Sequence, residues 1–181
     1  ARVVSEAARR GGALLIPAFA VDRTQEVVSL LDQLETEGAI PQLPVYLDSP
    51  LAIEATEIYA RRSAFRVPPR YQFARSAVES KALNDLRGPV IIISASGMAT
   101  GGRILHHLAM RLPDERTTVL LVGFQSAGTR GRALEDGARE IKMLGHMVPV
   151  RARIEHIDAL SAHADRDDIL HWLRRVGQPS G

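Results

Sequence analysis

Short apolar runs alternate along the chain with stretches of helical periodicity. Residues 13–16, Ala-Leu-Leu-Ile, lead without a polar break into Pro17, the pattern of a strand buried on both faces. Val27, Leu30, Leu31 and Leu34 then recur at the spacing of one helical face, with Asp22 placed to cap the helix and Gln25 as its capping-box partner. The unit repeats. Residues 43–47 read as a second strand, and Ser49-Pro50 supplies an N-cap followed by proline at the first helical position, predicting a helix through about Arg62. Residues 90–94, Val-Ile-Ile-Ile-Ser, are the strongest strand signal. A glycine-rich turn follows, and Ile104, Leu105, Leu108 and Leu112 mark the next helix. Residues 117–122 give a fourth strand. Beyond Gly145, Val148, Val150, Ala152, Ile154 and His156 alternate with polar positions and predict one half-exposed strand. A last helix from near Asp165 carries Ile169, Trp172, Leu173 and Val176 on one stripe. This alternation predicts an α/β fold, a mostly parallel sheet flanked by helices, because parallel strands need long crossovers.

At 181 residues, 45% apolar and 24% charged, the chain can bury one sizeable core without staples. It has no cysteine, which excludes a disulfide scaffold and every thiolate site and makes the cytoplasm the default compartment. No apolar run approaches the ~20 residues of a spanning helix, so no membrane partner is expected. The net charge of +2 does not mark a general polyanion binder. The basic residues are unusual in kind: apart from Lys81 and Lys142, all are arginines, whose planar forks suit phosphate and base stacking. Arg61, Arg62, Arg66, Arg70 and Arg75 form one group and Arg130, Arg132 and Arg139 a second. Each reads either as a solvated face or as a nucleic-acid track. The chain starts without Met, which predicts a piece of something longer, and residues 178–181 read as a linker or chain end.

In open parallel sheets, ligands bind at the carboxyl ends of the strands. The segment after the third strand, residues 94–103, is Ser-Ala-Ser-Gly-Met-Ala-Thr-Gly-Gly-Arg. Its small and hydroxyl residues run into a helix N-terminus, where backbone amides can face a phosphate. It is neither a Walker A loop nor a Gly-x-Gly-x-x-Gly fingerprint, and a plain tight turn is the competing reading. Residues 123–132 repeat the device with Arg130 and Arg132 added. Among six histidines, His163 stands apart, set between small residues at a strand-to-helix junction with Asp165 two positions on. The chain contains no His-x-His-x-Asp-His cluster, His-Glu-x-x-His helix or Gly-x-Ser-x-Gly elbow, so no known metal centre or nucleophile triad can be assembled from it.

Residues 17–26 (Pro-Ala-Phe-Ala-Val-Asp-Arg-Thr-Gln-Glu), 47–52 (Leu-Asp-Ser-Pro-Leu-Ala), 94–103, 128–132 (Gly-Thr-Arg-Gly-Arg) and 161–165 (Ser-Ala-His-Ala-Asp) resemble, in series, the β-CASP region of RNA-processing metallo-β-lactamase-fold nucleases. The group includes the nuclease subunit of the cleavage and polyadenylation specificity factor and its bacterial and archaeal relatives. The resemblance implies a Rossmann-like three-layer β-CASP domain over residues 1–147. It also implies a C-terminal strand-helix segment over 148–181 that returns to a metallo-β-lactamase domain, whose N-terminal part is absent here. It implies Glu26 and His163 as catalytic residues, His163 contacting the scissile phosphate. RNA or phosphate contacts would come from Ser49, Ser94, Ser96, Gly97, Thr100, Gly101, Gly102, Arg103, Gly128, Thr129, Arg130 and Arg132, with Asp48, His107 and Asp165 in support. Single-stranded RNA, the metallo-β-lactamase domain and a second copy of the chain are the implied partners. Two zinc ions are implied in the intact parent and none in this segment, which therefore is not expected to cleave RNA alone. Two other readings stay open: a stand-alone RNA-binding module without chemistry, and an unrelated nucleotide-binding α/β enzyme whose glycine loops hold one phosphate.

Overall fold

The computed structural model describes residues 1–157 and 166–176. Six strands form one parallel sheet: β1 (Ala13–Pro17), β2 (Val45–Leu47), β3 (Gln72–Phe73), β4 (Val90–Ser94), β5 (Thr118–Leu121) and β8 (Arg153–His156), in the spatial order β3-β2-β4-β1-β5-β8. A separate antiparallel hairpin pairs β6 (Glu140–Met143) with β7 (His146–Pro149). The strands at the centre are apolar throughout because both faces are covered, and β4 divides its residues between two cores. Ile91 and Ile93 face α1 (Arg2–Arg10), α2 (Arg23–Thr36) and α3 (Pro50–Arg62), packing with Val4, Val27, Leu31 and Ile53. Val90 and Ile92 face the opposite layer, with Ile104 and Leu108 of α5 (Ile104–Arg111) and Leu134 of α6 (Arg130–Glu135). Ile92 has no exposed surface. Truncating such a side chain costs about 2–5 kcal/mol.

This connectivity creates a switch point. The helix that follows β1 lies on one face and the helix that follows β4 lies on the other, while β1 and β4 are neighbours in register from Ala13↔Val90 to Pro17↔Ser94. Their outgoing loops diverge and leave a crevice at the carboxyl edge.

Several local expectations hold and others change. Ser49 caps α3, its Oγ accepting from Ala52 N at 3.3 Å, with Pro50 opening the helix as its sequence predicts. Asp22 makes no side-chain cap; its φ of 71° turns it away, and Gln25 instead donates from Nε2 to Thr56 Oγ1 at 2.8 Å. The single strand expected from Val148 to His156 is two strands. Its middle leaves the ladder because Val150 N donates to Arg139 O, and Arg151 N and Ala152 N both donate to Leu112 O. The apolar stripe of α7 (Arg166–Arg175) is exposed, with Trp172 at 62% and Leu173 at 53%. The short helix α4 (Ala77–Ala82) carries no long apolar periodicity; the Ser76–Glu79 capping box holds it.

Candidate functional site

Four connecting segments meet at the carboxyl edge of the sheet, and hydrogen bonds between them fix their positions. The β1 and β4 segments are joined by Ala18 N donating to Ser94 O at 3.1 Å, and the Phe19 ring lies against Gly97, where a Cβ would come within 3.0 Å of it. The β2 and β4 segments are joined by Asp48 N donating to Ile93 O at 2.8 Å and by Ser94 Oγ donating to Asp48 O at 2.7 Å. The β5 segment is tied in through Gln125, whose Nε2 donates to Gly97 O at 3.2 Å and Gly123 O at 2.9 Å, and Gly131 N donates to Met98 O at 3.0 Å.

Beneath the edge lies a buried charge cluster. Asp48 has no exposed surface and accepts from Arg103 Nη1 at 2.7 Å, Ser80 Oγ at 2.6 Å and His107 Nε2 at 2.6 Å. The other ring nitrogen of His107 lies 2.8 Å from Asn84 Oδ1. Burial pushes the Asp48 carboxyl upward, but the bonds from His107, Ser80 and Arg103 outweigh it and hold the group below the usual carboxylate range. Arg103 also donates to Ala74 O at 2.8 Å and Arg75 O at 3.1 Å. The cluster therefore locks the start of α5 to β2 and to the segment before α4.

These ties engage several of the residues expected to touch a ligand. The side chains of Ser49, Ser94 and Arg103 are engaged inside the protein, Ser94 being 1% exposed. The Thr100 amide, expected to face a phosphate, donates to Ser96 Oγ, and at the helix start Ile104 N donates to Ala95 O and Leu105 N to Gly102 O. Thr129 caps α6, accepting from Arg132 N at 3.2 Å, and Arg132 pairs with Asp136 at 2.8 Å. Gly97 is buried beneath Phe19, while Gly101, Gly102 and Gly128 form exposed or half-exposed turns, Gly102 and Gly128 at positive φ. Ser96 Oγ and Thr100 Oγ1 stand 3.0 Å apart on the half-exposed surface.

Arg130 differs from the other arginines here. Its Nε donates to Lys142 O at 2.8 Å and its Nη1 to Thr100 O at 3.4 Å, and it makes no ion pair among the described residues. Two carbonyls orient the guanidinium without neutralising it. In the group from Arg61 to Arg75, three of the five are paired: Arg70 with Glu35 and Asp32, Arg75 with Glu57 at 2.6 Å, and Arg61 with Glu57 at 3.9 Å. Arg62 and Arg66 make no ion pair among the described residues, and in the loop after α3 Arg66 Nη1 donates to Ser63 O at 3.2 Å and Phe65 O at 2.9 Å.

Glu26, in the first turn of α2, forms an ion pair with buried Arg23 and keeps 41% of its side chain exposed. His163 and Asp165 lie outside the described residues. Sequence reasoning gave no role to Ser80 and Asn84, which complete the Asp48 cluster, or to His156, which contacts Gly123 O at 3.1 Å and Glu135 Oε1 at 2.6 Å. Isolated polar residues such as Ser80 and Asn84 leave no periodic signal, and His156 registers only as one position of the alternating run. Among the described residues, no three His, Asp or Glu side chains group so as to hold a metal ion. The described part therefore does not fit a zinc centre.

The family model for the Beta-Casp domain matches residues 24–134, the span that contains the second, third and fourth edge segments and all of α2 but Arg23. The chain belongs to the β-CASP family. A second model, the Zn-dependent metallo-hydrolase RNA specificity domain, matches residues 147–180. Ribonuclease TTHA0252 of Thermus thermophilus is 35% identical over 194 residues, covering 98% of this chain and 44% of the relative. An RNase J-like protein of Methanocaldococcus jannaschii is 32% identical over 187 residues, 97% of this chain and 43% of the relative. Transcription termination factor FttA of Pyrococcus abyssi is 32% identical over 195 residues, 96% of this chain and 30% of the relative. This β-CASP chain thus spans less than half the length of each. No helix among its described residues is long and apolar enough to cross a membrane.

Proposed function

We propose that this β-CASP chain is the RNA-gripping part of a metal-dependent ribonuclease, with single-stranded RNA running along the carboxyl edge of the sheet. The observation that carries the reading is the convergence of four sequence-distant segments on one edge, where Arg130 presents a guanidinium held by carbonyls alone. A phosphodiester offers the anionic oxygens that such a fork binds. The hydroxyls of Ser96 and Thr100 supply neutral partners beside it. The family membership and the relatives named ribonuclease support hydrolysis as the reaction.

In this reading, Glu26 favours the protonated imidazole of His163, which stabilises charge developing on the phosphate. A metal centre in the complete protein would be held by residues other than those described and would supply an activated water. The protein expressed from its complete gene tests the assignment. His163→Ala should lower RNA turnover by about 10²- to 10⁴-fold while leaving zinc content unchanged. Unchanged turnover would remove His163 from the chemistry, and turnover lost together with zinc would reassign it to metal binding.

A further inference from the structure

Aromatic residues make up only 4% of the chain, and it holds four phenylalanines. Phe65 and Phe73 are half-buried against the core beneath α2 and α3. Phe19 and Phe124 are not: they are 43% and 64% exposed, and both sit at the carboxyl edge. Phe19 follows the last residue of β1 by two positions and Phe124 follows the last residue of β5 by three. The two strands are direct neighbours, paired in parallel at Leu14↔Thr118 and Leu15↔Val119. Adjacent strands run about 4.8 Å apart, so the segments that carry the two residues leave the sheet at neighbouring positions of one edge.

Both rings stand on fixed backbone. Phe19 O accepts from Thr24 N at 3.1 Å and Thr24 Oγ1 at 2.7 Å, and the ring rests on Gly97, where the absent Cβ leaves room for it. The peptide carbonyl just before Phe124 accepts from Gln125 Nε2 at 2.9 Å and contacts His156 Nε2 at 3.1 Å. Neither ring is stacked on another: the one aromatic pair among the described residues is Tyr59–Phe65. Leaving a Phe in water forgoes burial that would stabilise the fold, and two such residues on segments that leave adjacent strands at one edge call for an occupant. The neighbouring charge identifies its chemistry. The β4 segment that touches Phe19 at Gly97 also gives Thr100 O to the unneutralised Arg130. Flat apolar faces beside a cation that lacks a counter-ion match the alternating base and phosphate of an unpaired strand.

We infer that Phe19 and Phe124 are a stacking platform for unpaired bases of single-stranded RNA, with Arg130 on the intervening phosphate. The inference rests on the RNA-gripping reading above and adds how the strand is held. Stacking accepts every base, so the platform confers grip without sequence preference.

Binding of a short oligoribonucleotide carrying 2-aminopurine, measured with the protein expressed from its complete gene, tests it. Wild type should quench the probe. Phe19→Ala and Phe124→Ala should each weaken binding about tenfold and lose quenching, and Phe124→Tyr should restore both where Phe124→Leu does not. The dependence of log K on log salt should keep its slope in the Ala variants and lose about one in Arg130→Gln. If Arg130→Gln weakens binding and the Ala variants do not, the platform is wrong and the RNA-gripping reading survives. If wild type binds no RNA, both fail. Ala variants that lower Tm with affinity intact would mean that another part of the protein covers the rings, which also overturns the platform.

Discussion

Replacing Asp48 with asparagine removes one buried negative charge and almost no volume, and its effect follows from the cluster's geometry. The carboxylate receives three bonds of 2.6–2.7 Å; neither its own side chain nor that of His107 is exposed, and Arg103 is 21% exposed. Breaking a buried pair by removing one partner costs about 3–5 kcal/mol. Asparagine keeps one acceptor oxygen and adds a donor that meets Arg103 badly, which places the variant near the lower end, about 3 kcal/mol. For a chain of this size that corresponds to a fall in Tm of about 6–12 °C. The pH dependence gives a sharper signature. The Asp48 carboxyl is held below its ordinary value of 3.8, with burial opposing and the His107, Ser80 and Arg103 bonds prevailing. An acid whose folded value is lowered stabilises fully above the unfolded value, and that stability is lost as pH falls through the folded one. Urea unfolding of wild type and Asp48→Asn should therefore differ by about 3 kcal/mol at neutral pH and converge in acid. A difference under about 0.5 kcal/mol at neutral pH, or one that persists unchanged in acid, would refute the reasoning.

Two further outcomes follow. Gly102→Ala should destabilise by about 2–3 kcal/mol in the same assay, because Gly102 has φ of 76° and a Cβ there would stand 2.5 Å from Ala95 O; a neutral result would mean that the β4 segment relaxes freely. Burial, with the Glu35 carboxylate beside it, pushes the Tyr71 phenol above its ordinary 10.0, so wild type should lose stability as pH climbs past that value, and Tyr71→Phe should lose less; parallel declines would contradict the placement.

The parts of the fold that were legible share one property: their signal is contained within a single element. The apolar run of β4 and the Ser49-Pro50 opening of α3 each encode their own geometry. The failures depend on partners distant in sequence. Asp22 has a capping residue's identity, but Gln25, its expected partner, reaches across to Thr56 on α3. The period-two pattern from Val148 to His156 is real, yet Leu112 O captures the amides of Arg151 and Ala152 and splits it between two sheets. The site divides the same way. The four edge segments could be located from strand ends alone. That Ser94 and Arg103 face inward could not, because Asp48 lies 46 and 55 positions from them in the chain. Nor could Arg130 be singled out, since the ion pairs that neutralise Arg70 and Arg75 are tertiary.

The most direct test of the account is a crystal structure of the protein expressed from its complete gene, bound to a hydrolysis-resistant single-stranded oligoribonucleotide. The account predicts a strand crossing the carboxyl ends of β1, β4 and β5, a phosphate on the Arg130 guanidinium, and the His163 imidazole between the Glu26 carboxylate and the scissile phosphate. RNA bound away from that edge, or His163 remote from both Glu26 and the phosphate, would contradict it.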